Sequence, residues 1–147
     1  MVVTVTAQQP EINLQGTIQV SGSVLDNPEI PVLNVGPMAS SGSYLAIPSP
    51  GELVSVFGVK LADGTGGASA LPLATQLQGS VLLLGGRLLP LVFASPNQVN
   101  AMVPYSIVPG ATYQLIAQRG TRLSVPQSVT VAAAEPAIFT STARWPT

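Results

Sequence analysis

Proline and glycine decide first what this chain cannot become. Each occurs 14 times in 147 residues, so no window of about 12 residues offers an uninterrupted apolar stripe of helical period. A two-residue period runs through the chain instead. Val3, Val5 and Ala7 alternate with Thr4 and Thr6; Ile18 and Val20 alternate with Thr17, Gln19 and Ser21; Leu115 and Ala117 alternate with Gln114, Ile116 and Gln118. These are marks of half-buried strands. Further strands are predicted at Thr17–Leu25, Ile30–Val35, Glu52–Phe57, Ser80–Leu84, Leu88–Ala94, Gln98–Val103 and Ser124–Ala132. Their spacing suits an all-β antiparallel sandwich. Gly85-Gly86, between two apolar runs, has the composition of a two-residue hairpin turn, whose central residues take positive φ. The stretch Ala62–Ser69 reads as a surface loop, and Pro48-Ser49-Pro50-Gly51 as a turn feeding the next strand. The length accommodates one ordinary domain with an extra arm. Residues 1–29 read as the arm or linker, 30–140 as the sandwich and 141–147 as a tail.

The ends of the chain echo each other. Six of ten positions are identical between Val3–Ile12 and Val129–Ile138, namely Val3/Val129, Thr4/Thr130, Val5/Val131, Ala7/Ala133, Pro10/Pro136 and Ile12/Ile138, at a spacing of 126 residues. A folded domain has room for one copy of its last strand. The first copy therefore reads either as the end of a preceding repeat or as a strand lent to a neighbour.

Composition removes several functions. The five Lys and Arg, Lys60, Arg87, Arg119, Arg122 and Arg144, are scattered, and the net charge is −1; no basic patch is present to neutralise phosphates, so nucleic acid is excluded as an expected partner. No apolar run reaches the roughly 18 residues of a spanning helix, so no membrane span is expected. Histidine and cysteine are absent. That removes the usual general base, the thiolate nucleophile and the nitrogen and sulfur ligands of zinc sites. The six carboxylates, Glu11, Asp26, Glu29, Glu52, Asp63 and Glu135, form no sequence cluster except Asp26 and Glu29, which read as solvated linker charges. The single carboxylate of Asp63-Gly64-Thr65-Gly66 falls far short of the six to eight oxygen ligands calcium takes. No catalytic residue, cofactor or metal is expected, and the chain reads as a non-enzyme.

Charged residues make up only 7% of the chain and hydrophobic residues 46%, with a mean hydropathy of +0.46. Little charge is available to solubilise a large free surface, and coverage by other subunits would account for it. The wealth of Thr, Ser, Gly, Pro and Gln is more typical of exported bacterial surface proteins. Met1-Val2-Val3-Thr4 shows neither a basic n-region nor an apolar h-region, so an export signal is expected to have been removed or to lie upstream.

Two stretches are similar to a known family. Pro50-Gly51-Glu52-Leu53-Val54-Ser55-Val56-Phe57-Gly58-Val59-Lys60-Leu61 resembles the opening strand of Ig-like IPT/TIG modules. Ala94-Ser95-Pro96-Asn97-Gln98-Val99-Asn100-Ala101-Met102-Val103-Pro104-Tyr105, followed by Val108-Pro109-Gly110, resembles the signature of one bacterial subgroup. This is the uncharacterised Ig-like C-terminal domain repeated across large secreted proteins of acidobacteria, whose ending Val129–Thr140 also resembles. The resemblance covers roughly residues 30–140. It implies an Ig-like antiparallel β-sandwich and an exported protein, and no activity; the N-terminal arm departs from the family pattern.

Three functions remain in view. In the first, the chain is the subunit of a self-assembling extracellular filament. The donated strand is Val2, Val3, Thr4, Val5, Thr6 and Ala7, with Thr17–Leu25 as a further part, and Val129, Val131 and Ala133 or an edge beside them set the register. In the second, the chain is one repeat of a tandem Ig-like stalk, with 126 residues as the period. In the third, Asn97, Asn100 and Tyr105 contribute to a carbohydrate- or surface-binding face. Against it, amides beside a strand commonly bond their own backbone, and aromatics are only 5% of the chain. Tyr44, Tyr105 and Tyr113 read as core or corner residues. Trp145, beside Pro146, reads as an interface anchor or part of a loose tail. Asn-x-Ser/Thr is absent, and the Ser- and Thr-rich stretches leave O-linked glycan open.

Overall fold

The computed structural model describes residues 2–9, 14–21 and 28–136, and within them every regular element is a strand. Two strands stand apart: β1 (Val2–Gln9) and β2 (Leu14–Ser21) pair antiparallel along their whole length. The other ten build two antiparallel five-stranded sheets. One contains β3 (Val32–Ser40), β4 (Leu53–Val59), β9 (Gln98–Met102), β8 (Leu91–Ala94) and β5 (Gly66–Gly67), in that order. In the other, β10 (Thr112–Arg119) is central. It is flanked on one side by β6 (Ser80–Leu84) and then β7 (Arg87–Leu88), and on the other by β11 (Arg122–Leu123) and β12 (Gln127–Thr130). The chain folds as an all-β sandwich, as its periodicity predicts.

The core follows from strand alternation. Val54 and Val56 of β4, Val99 and Ala101 of β9, Leu82 and Leu84 of β6, and Leu115 and Ala117 of β10 are completely buried, while residues between them are mostly less so. Each fully buried large aliphatic side chain contributes roughly 1.5–3 kcal/mol. Ser55 lies between two core valines yet is buried too, and its hydroxyl is satisfied by that of Ser41 at 2.8 Å.

Prolines account for the differences from the expected strands. The run Leu88–Ala94 is not one strand: β7 belongs to one sheet and β8 to the other, with Pro90 at the crossing. Leu89 N–H still donates to Leu82 (3.0 Å) and Leu91 N–H to Ala74 (2.8 Å), so the residue lacking an N–H sits where the ladder changes partner. Of the expected Ser124–Ala132 only Gln127–Thr130 forms a strand, β12, and Pro126 lies in the gap between it and β11. Ser124 bridges that gap: its N–H donates to the Ala117 carbonyl (2.8 Å) and its hydroxyl accepts from Ala117 N–H (3.0 Å). At β3, Gly36-Pro37 does not end the strand. The pairing with β4 shifts register between Leu33 and Met38, a bulge, and continues to Ser40.

The Gly-Gly hairpin forms as predicted. Leu84 pairs with Arg87, and Gly85 and Gly86 have φ of 57° and 77°. Tyr113 lies against this turn and closes the corner before β10: its hydroxyl donates to the Val108 carbonyl (3.0 Å) and accepts from Val108 N–H (3.2 Å).

A Cβ on Gly85 would come within 2.5 Å of Tyr113 Cδ1, whereas one on Gly86 would meet nothing within 4 Å. Both positions carry the left-handed cost of roughly 1–2 kcal/mol for a residue with a side chain. Gly85→Ala is therefore expected to destabilise the fold by more than Gly86→Ala in chemical denaturation. Equal losses would show that Tyr113 does not hold this turn.

Candidate functional site

The second copy of the echo has a definite place. Val129 and Val131 are buried, while Ser128, Thr130 and Ala133 are exposed. Val131 N–H donates to Ala111 (3.0 Å) and its carbonyl accepts from Gly110 N–H (2.7 Å). Odd-numbered residues of β12 thus direct their backbone groups to β10, and even-numbered ones direct theirs to the opposite edge. On that edge Ala132 N–H donates to Pro48 (2.8 Å). Among the described residues no strand pairs with β12 there. Beside it, β12 packs against β3, and a groove of about 300 Å³ runs between Ile30, Pro31, Val32 and Leu33 on one wall and Val125 and Gln127 on the other. Val32 and Val125 remain 52% and 66% exposed. The groove is apolar, open and next to an unpaired strand edge.

Val129 and Val131, expected to set the register of a donated strand, belong to the core of their own sandwich. Ala133 lies beyond the end of β12 and lines a second open hollow of about 340 Å³ with Ser49–Glu52 and Ala134–Pro136. There Glu52 Oε2 accepts from the Ser49 N–H (2.8 Å) and hydroxyl (3.1 Å).

The first copy also has a partner in its own chain. Val2–Ala7, expected as the donated strand, pair with β2, Val3 opposite Val20, Val5 opposite Ile18 and Ala7 opposite Gly16. β2 starts at Leu14, three residues before the expected Thr17; Gly16 interrupts the alternation that Leu14 begins.

The two ends of the sandwich differ in chemistry. At one end Glu29 receives Lys60 Nζ at 3.0 Å and Arg119 Nη2 at 3.3 Å, Arg119 Nη2 also donates to the Glu29 carbonyl (2.8 Å), and Lys60 bonds the Pro28 carbonyl. Asp63 adds a longer contact to Arg119 at 3.8 Å. The chain comes into the sandwich at this charged pole. It leaves at the opposite one, where Ala132 meets Pro48 and where Tyr44, Leu45, Ile47, Tyr105 and Val108 are exposed. Glu29, read as a linker charge, fastens the start of the sandwich.

Asn97, Asn100 and Tyr105 are distributed along β9. Asn97 precedes the strand and its carbonyl accepts from Gly58 N–H (3.1 Å). Asn100 is half-buried and its Oδ1 accepts from Gln98 Nε2 (2.8 Å). Tyr105, 85% exposed, follows β9 and lies over Gly51, where a Cβ would come within 2.4 Å of its ring. A five-residue strand, about 17 Å long, separates Asn97 from Tyr105, so the three do not converge. Trp145 lies outside the described residues. Among the described residues no group of three or more Asp or Glu could hold a metal ion.

The hydrogen bond from Lys60, followed by that from Arg119, lowers the pKa of Glu29 below its ordinary value. A lowered folded-state pKa gives a contribution that is present above the unfolded carboxylate's pKa and is lost as pH falls through the folded one. Titration followed by NMR is expected to show Glu29 below the ordinary carboxylate range, and Lys60→Met to move it upward. An unmoved value would remove Lys60 from the fastening of Pro28–Glu29. No protein-family model matches the chain, and no curated protein matches it either.

Proposed function

We propose that this chain is a non-catalytic structural protein, the subunit of an extracellular or cell-surface filament that assembles by β-strand addition between copies. One observation carries the reading: a hairpin whose first strand shares Val3-Thr4-Val5 with Val129-Thr130-Val131 pairs with no strand of the two five-stranded sheets among the described residues. An isolated two-stranded hairpin is marginal in water. Added to another copy, its apolar positions and unpaired edges gain partners, and the low charge of the chain fits a surface covered in a polymer. We place the sandwich with the Ig-like (IPT/TIG-type) modules. The resemblance through Pro50–Leu61 and Ala94–Tyr105 supports this, as does the Tyr113 hydroxyl bonded back to Val108 at the corner before β10.

The tandem-stalk reading has its own support. The chain joins and leaves the sandwich at opposite poles, an arrangement that suits modules connected end to end, and 126 residues would then be the repeat. Both readings describe a structural role.

Negative-stain electron microscopy of the purified chain is expected to show rods or fibres. Removing residues 1–27 is expected to leave a folded, monomeric sandwich. Monodisperse monomers of the full chain at high concentration would overturn the filament reading in favour of the stalk.

A further inference from the structure

The hairpin and the sandwich offer one strand two nearly identical templates. In the hairpin, Val20 stands opposite Val3, Gln19 opposite Thr4 and Ile18 opposite Val5. The same three residues in the same order, Val129-Thr130-Val131, recur in and just after β12. On its unpaired edge β12 could receive an antiparallel strand in that register. Ser21 would then meet Ser128, Val20 Val129, Gln19 Thr130 and Ile18 Val131. The bond from Ala132 N–H to Pro48 bounds the site at one end.

We infer that the strand lent between copies is β2, not β1: β2 of one copy leaves β1, and its residues Ile18–Ser21 add to the free edge of β12 in a second copy. This rests on the filament reading and names its donor and acceptor. β1 is a resident substitute for β12 that keeps β2 occupied within its own chain until another copy is available. The echo follows from this arrangement, because a substitute must present what the acceptor presents. Exchange replaces one Val-Thr-Val template by another, trading the eight pairs of an isolated two-stranded hairpin, marginal in water, for the four named pairs on a five-stranded sheet. Mass action makes the exchanged state depend on concentration.

The chain has no cysteine, so introduced thiols report without background. Antiparallel partners across a ladder are about 4.5–5.5 Å apart at Cα, within disulfide reach. A Gln19→Cys chain mixed with a Thr130→Cys chain under mild oxidation is expected to give a disulfide-linked heterodimer. A Thr4→Cys chain mixed with the Thr130→Cys chain is expected to give none. The double variant Thr4→Cys/Gln19→Cys, oxidised, fastens β2 to β1 and is expected to stop assembly, which reductant restores. Rods that form with the hairpin locked, or that cross-link Thr130→Cys to Thr4→Cys and not to Gln19→Cys, would overturn the β2 exchange and leave the filament standing. Absence of both rods and heterodimer would overturn the exchange and the filament together.

Discussion

Lateral pairing of backbone groups governs this protein. With every regular element among the described residues a strand, the N–H and C=O groups of these elements find their partners across a gap to another segment and not along their own. Proline, which donates nothing, then fixes where ladders end and where the chain changes sheets. Pro90 marks the crossing between the sheets and Pro126 the break between β11 and β12. Where a ladder must continue across such a break, a side chain substitutes, as Ser124 does for Ala117. The sandwich core is held between sheets whose outlines these residues draw.

The same rule explains which parts were legible in the sequence. β6 and the turn at Gly85-Gly86 were readable because local signals agree: alternation on one side, positive-φ glycines in the middle, an apolar run after. β10 was readable from Leu115 and Ala117. The divided runs were not, because Leu88–Ala94 is apolar throughout, and nothing local states that its two halves face different sheets. The bulge at Gly36-Pro37 misled in the other direction, since the residues that usually stop a strand here only shift its register.

Legibility was poorer in the hairpin and at the free edge of β12. The echo points to Val2–Ala7, but an echo shows that two segments are alike without saying what the neighbour of the first is. Only the pairing of β1 with β2 identifies that neighbour as Leu14–Ser21, a segment whose alternation is blurred by Gly16. The groove beside β12 could not be read at all, because its walls come from Ile30–Leu33 and Val125–Gln127, some 90 residues apart in a chain of 147. Glu29 is similar: its partners Lys60 and Arg119 are distant in sequence, and nothing local separates it from a solvated charge.

The placement of chain ends at opposite poles has a mechanical consequence. β3 and β12 both run from the charged pole toward the opposite one. A pull applied at the two ends of the sandwich therefore acts along the β3–β4 and β10–β12 ladders, lengthwise. Their hydrogen bonds share the load together and do not open one by one as in a zipper. The Glu29 contacts with Lys60 and Arg119 lie first in line and bear it before the ladders do.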